Sequence, residues 1–166
     1  MNDAGEFFFS SPIDSSNIWR DYGRSDDDQR HRVAVNGTVT PGLGLRVSGM
    51  LQYYSSLPFN ILAGSTTIQG TAARPIVNGD YIPRNAGTGN DLFALSTRVS
   101  RVFRLTEGVR LEAIAEAFNS LNHRNNLTLN ATFGPGAFPT NPLPSFRTVT
   151  AVNDPRNVQL AIRLSF

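Results

Sequence analysis

Asn157-Val158-Gln159-Leu160-Ala161-Ile162-Arg163-Leu164-Ser165-Phe166 alternates without a break and stops on an aromatic. Side chains in a strand repeat every two residues, so Val158, Leu160, Ile162, Leu164 and Phe166 form one wholly apolar face. Gln159, Ala161, Arg163 and Ser165 form the other. A tilted strand of about 9–11 residues spans a bilayer core, and alternation of apolar-out with polar-in is the pattern of a transmembrane β-barrel strand. The expectation is an all-β protein built from antiparallel transmembrane barrel strands.

Working outward, the same alternation returns in earlier segments. Residues 32–40 place Val33, Val35, Gly37 and Val39 on one face before Pro41-Gly42-Leu43-Gly44, a tight-turn sequence. Residues 45–54 then set Leu45, Val47, Gly49, Leu51 and Tyr53 against Arg46, Ser48, Met50, Gln52 and Tyr54, which predicts a hairpin. In 91–104, Phe93, Leu95, Thr97, Val99 and Phe103 oppose Ser96, Arg98, Ser100 and Arg104. Arg101 breaks this apolar face; near a strand end it can snorkel to the interface, where a lipid-side Arg costs about 0–1 kcal/mol against ~2–4 at the midplane.

Residues 109–122 carry two periods at once. Leu111, Ile114, Ala115, Phe118 and Leu121 stand at helical spacing in a run of good helix formers, and in isolation the segment predicts a helix. As a strand it would turn Val109, Leu111, Ala113, Ala115 and Ala117 to lipid and Arg110, Glu112, Ile114, Glu116 and Phe118 inward. Strands on both sides favour the second pattern, since a lone helix would interrupt the sheet.

Two connections are short, 41–44 and 105–108. Two are long and rich in Gly and Pro, about 55–90 and 120–156, and are expected to be loops without regular structure. Such loops argue against a compact soluble domain and suit a membrane barrel with long extracellular loops and short periplasmic turns. About five strands result, the C-terminal part of a larger barrel over 32–166, with 1–31 as an irregular extracellular lead-in.

Composition sets the outer limits. Of 166 residues only 17% are charged, below the usual quarter, while Gly and Pro number 14 and 10. The net charge of +2 is carried by arginines spread along the chain, which gives nucleic-acid binding no dense basic stripe to use. With no cysteine, disulfides, iron–sulfur clusters and thiol catalysis are excluded. No run of about 18 apolar residues exists for a membrane helix. Met1-Asn2-Asp3-Ala4-Gly5 lacks the basic start and apolar core of an export signal, so the expectation is that the chain is the tail of a longer polypeptide.

Chemistry-bearing constellations are sparse. His31 and His123 stand beside arginines, away from metal-ligand spacing, and Ser25-Asp26-Asp27-Asp28 lacks the EF-hand spacing. Glu112 and Glu116 would share the inner face with Arg98, Arg110 and Arg163, with Arg98 and Arg110 expected within cross-strand reach of the two carboxylates. Paired carboxylates with cross-strand arginines read as a charge ladder before they read as acid–base catalysts. No G-x-S-x-G, phosphate loop, dinucleotide fingerprint or H-E-x-x-H is present, so neither an enzyme, a cofactor nor a metal is expected. Phe59, Tyr81, Phe133 and Phe138 are expected to line a ligand mouth among the loops.

Five segments carry a resemblance in order: Asp28-Gln29-Arg30-His31-Arg32 before a strand, Ser56-Leu57-Pro58-Phe59-Asn60 after one, Leu95-Ser96-Thr97-Arg98-Val99-Ser100-Arg101-Val102-Phe103, the run EAIAEAFNSLN at 112–122, and Pro155-Arg156 leading into the terminal strand. Over about residues 20–166 the chain resembles the C-terminal end of a TonB-dependent outer-membrane receptor, of the kind with a carboxypeptidase-regulatory-like N-terminal domain. The resemblance implies a plugged barrel of about 22 strands in the bacterial outer membrane. It would import a scarce ligand with energy from the TonB complex. It further implies that the strand ending in Phe166 is the tag read by the barrel assembly machinery. The TonB box, plug and most of the barrel have no counterpart here. The alternative from another class is a soluble β-sandwich binding module, for example for carbohydrate, with its apolar strand faces packed on each other.

Overall fold

A computed structural model describes residues 11–166. The run Phe7-Phe8-Phe9 and the residues weighed as an export signal lie outside the described residues. The described chain is all-β: β1 (Arg32–Gly42), β2 (Leu45–Tyr54), β3 (Pro58–Phe59), β4 (Ile76–Val77), β5 (Asp80–Tyr81), β6 (Gly87–Thr88), β7 (Leu92–Arg104), β8 (Arg110–Phe118), β9 (Asn126–Leu129), β10 (Val149–Val152) and β11 (Asn157–Ser165), with one 3-10 turn at Ile18–Asp21. No helix among the described residues is long and apolar enough to cross a membrane.

Contacts gather the chain into two compact units. The sheet unit comprises residues 31–54, 92–125 and 153–166. Its five long strands form one antiparallel sheet in the order β1-β2-β7-β8-β11, an uninterrupted meander. Register keeps every apolar column on one face: Val47 pairs with Val99, Val99 with Ala115, and Ala115 with Leu160. One residue along, Ser48 pairs with Arg98 and Arg98 with Glu116, so the polar columns coincide on the other face. A slip of one residue at any pairing would mix the two faces.

β8 resolves the double periodicity of its sequence. It is a strand, hydrogen-bonded to β7 on one side and β11 on the other. Helix propensity is worth only tenths of a kcal/mol per residue, whereas two ladders satisfy the backbone along the whole segment. Ile114 and Phe118, the residues that suggested a helical stripe, lie on the polar face.

Turns hold the register. Gly42, Leu43 and Gly44 all have positive φ, 108°, 52° and 72°. At Gly44 a Cβ would come within 2.4 Å of the Val102 carbonyl oxygen, so only glycine lets this turn close against β7. The second turn is closed by Leu105 N–H and Thr106 N–H donating to the Val109 carbonyl at 2.9 and 3.2 Å. Both short turns lie at one end of the sheet, and Ser165 pairs with Arg110 at that same end.

The loop unit corrects the expectation of structureless loops. Residues 11–30, 55–91 and 126–152 form it among the described residues, with the short ladders β3–β6, β4–β5 and β9–β10. Its core is Ile61, Ile82 and Phe133, with Phe59, Phe138 and Phe146 packed around them. The Phe133 ring lies 5.0 Å from Phe138 and 5.2 Å from Phe146, tilted and edge-on, geometries that aromatic quadrupoles favour. Phe133 is 1% exposed. A short apolar cluster assembled from segments far apart in sequence has no periodic signature, which is why it reads as loop.

Candidate functional site

The five inner-face candidates do share one face of the sheet, and the pairings among them are specific. Arg98 Nη1 stands 2.9 Å from Glu116 Oε1 across β7 and β8. Arg163 Nη1 stands 3.7 Å from Glu112 Oε2 across β11 and β8. The expected reach of Arg110 to a neighbouring glutamate is not realised. Register sets Arg110 opposite Arg104 on one side and Ser165 on the other, while Glu112 takes its partner from the terminal strand. The face is set by parity along each strand but the partner by strand order, so Arg163 holds the place beside Glu112 that was expected of Arg110.

Next to the Arg98–Glu116 pair is a shallow recess of about 260 Å³, lined among others by Asn36, Thr38, Ser48, Ser96 and Met50. The Thr38 and Ser48 hydroxyls are 2.9 Å apart. Amide, hydroxyl and paired charges give this face donors and acceptors for polar solutes. No set of three His, Asp or Glu groups itself for a metal ion among the described residues.

The opposite face is largely apolar, and many of its side chains are exposed among the described residues. Leu160 is 80% exposed, Ile162 75%, Val158 61% and Leu164 54%, and Phe166, just past the end of β11, is 99% exposed. Val33, Val35, Val39, Val99 and Phe103 on the other strands are exposed with them. Scattered exposed apolar residues need no explanation, but a contiguous sheet face does. An open groove of about 750 Å³ crosses this face, lined by Val99, Ala113, Ala115, Leu160 and Ile162 with Arg101 at its rim.

The remaining polar candidates serve the architecture. His123 shares a 3.1 Å hydrogen bond with Asn125 Oδ1 and sets its ring against Phe93, centroids 5.7 Å apart. Asn125, 1% exposed, continues the ladder beyond β8: its amide donates to the Phe93 carbonyl and accepts from the Phe93 N–H, both at 2.8 Å. Nothing in the sequence pattern marked it. In the loop unit Asp26 accepts from Arg84 and Asn85 at 2.5 and 2.7 Å. Asp28 accepts from Arg24 at 2.7 Å, a bond that holds its carboxyl below the ordinary value of 3.8. The Ser16 hydroxyl does the same for Asp14.

Arg74 is the feature sequence reasoning missed altogether. It is 4% exposed, donates to the Ile82 carbonyl at 2.9 Å, to Asp21 at 2.5 Å and to the Arg20 carbonyl. Such a pin is invisible without the fold, because its partners lie more than fifty residues away on one side. Of the aromatics expected at a ligand mouth, Phe59, Phe133 and Phe138 belong to the loop unit's core instead, drawn in by apolar burial worth about 1.5–3 kcal/mol for a fully buried ring. Tyr81 stays half-buried, with the Arg20 guanidinium 5.8 Å over its ring.

Compared with protein-family models, curated proteins and solved structures, the chain matches none.

Proposed function

We propose that this chain is the C-terminal segment of an outer-membrane β-barrel, a TonB-dependent receptor that imports a scarce ligand. The observation that carries the proposal is the shared register of five strands, which puts an exposed apolar surface on one side and the Arg98–Glu116 and Arg163–Glu112 pairs on the other. In this reading hydrocarbon covers the apolar face and the charged face lines a watery lumen. β11 has nine residues; at about 3.4 Å each and a tilt of about 40° they cover about 23 Å, close to the ~25 Å apolar band of such barrels.

The outer edges of β1 and β11 are unpaired among the described residues. In lipid each bare N–H or C=O costs several kcal/mol, so the sheet works as part of a larger closed barrel whose other strands take up both edges. Short turns would then be periplasmic and the long connections, about 55–90 and 120–156, extracellular. The ordered motifs described above supply the receptor class; TonB, outer-membrane lipid and the assembly machinery are the partners that follow from it. No catalytic step and no nucleic-acid contact is assigned.

Fractionation tests the reading. The chain should follow the outer membrane or demand detergent, and loss of Phe166 should reduce assembly. A freely soluble, monodisperse product would favour the β-sandwich binding module instead.

A further inference from the structure

The geometry points to a binding site for one anionic phospholipid on the apolar face, its acyl chain in the groove over β8 and its phosphate on Arg101. The inference rests on the membrane reading above and adds a headgroup selectivity which that reading does not require.

Two features of different chemistry meet here. The groove is floored by Ala113 and Ala115, with Val99 on one flank and Leu160 and Ile162 on the other. Register aligns these residues in rows across β7, β8 and β11, so the depression runs along β8. The row Phe103–Leu111–Leu164 closes it toward the short turns. A methylene chain fills such a trough, whereas larger side chains in place of the alanines would level it.

At the closed end stands Arg101, an exposed cation on a face that carries no other charged side chain among the five strands. Its guanidinium lies 5.0 Å over the Phe103 ring, which draws it toward the short-turn end, where headgroups would lie. Among the described residues no carboxylate stands within ion-pair distance of it, in contrast to Arg98 and Arg163. A guanidinium above an apolar trough is complementary to a phosphodiester carrying acyl chains. It gives a zwitterionic lipid, whose own ammonium offsets the phosphate, a weaker partner.

The full chain in neutral detergent micelles, titrated with spin-labelled phosphatidylglycerol and spin-labelled phosphatidylcholine, tests this. We expect phosphatidylglycerol to be immobilised about fivefold more strongly, the ratio corresponding to about 1 kcal/mol per arginine at an anionic surface. Arg101→Gln should bring the ratio to about one, Arg101→Lys should keep it, and Arg46→Gln on the opposite face should leave it unchanged. Ala115→Phe should reduce immobilisation of both lipids by filling the trough. Equal affinities in the unaltered chain, or a preference that survives Arg101→Gln, overturn the site while leaving the membrane reading intact. A chain that immobilises neither lipid overturns both.

Discussion

Leu160 and Gln159 are neighbours on β11 that point to opposite faces, and replacing each by arginine separates hydrocarbon from water as the medium on the apolar side. Leu160 lies one residue from the middle of β11 and is 80% exposed. Facing lipid near the midplane, Leu160→Arg costs about 2–4 kcal/mol. At about 1.4 kcal/mol per tenfold, the lower bound lowers the vesicle partition coefficient about thirtyfold. Facing water, an 80% exposed side chain tolerates the same change within about 0.5 kcal/mol. Gln159→Arg provides the internal control, since Gln159 pairs with Glu116 on the charged face and the added guanidinium gains a carboxylate neighbour; partitioning should stay within about twofold. The assay is co-flotation of the chain with neutral phosphatidylcholine vesicles on a density gradient. Equal partitioning of the two variants would refute the assignment of the apolar face to lipid, as would an unaltered chain that stays with the soluble fraction.

Three further outcomes concern the loop unit. Phe133→Ala removes the centre of its core and should cost about 3–5 kcal/mol, read as a lowered unfolding midpoint in a thermal melt followed by near-ultraviolet circular dichroism. Arg74→Ala removes the ion pair of the Asp21 carboxylate and the donors to two carbonyl oxygens; because Asp21 keeps the Ile13 N–H and some solvent access, the loss should be near the lower end of the range for broken buried pairs, about 3 kcal/mol, measured by denaturant titration with Trp19 fluorescence. The Asp28 carboxyl should titrate below 3.8 by carbon NMR and return toward that value in Arg24→Gln. A depressed carboxylate stabilises the fold fully above 3.8, and that contribution disappears as the pH falls through the lowered value.

The meander was legible in the chain because a strand with one apolar and one polar face repeats every two residues, and that period survives in β1, β2, β7 and β11 without help from neighbours. The turns were legible for the same local reason, through Pro41-Gly42-Leu43-Gly44 and Thr106-Glu107-Gly108. β8 was legible only through its neighbours, since its own apolar residues satisfy a period of 3.6 as well as one of 2; the strand that the flanking strands favour is the one formed, held by hydrogen bonds from β7 and β11. Charge pairing also waited for the fold: face follows from parity along one strand, but Glu112 meets Arg163 only because β11 returns to lie beside β8. The loop unit was hidden for a third reason. Ile61, Ile82, Phe133, Arg74 and Asn85 act at single positions brought together from distant segments, and burial of isolated side chains, unlike burial of a face, leaves no repeating trace in the order of residues.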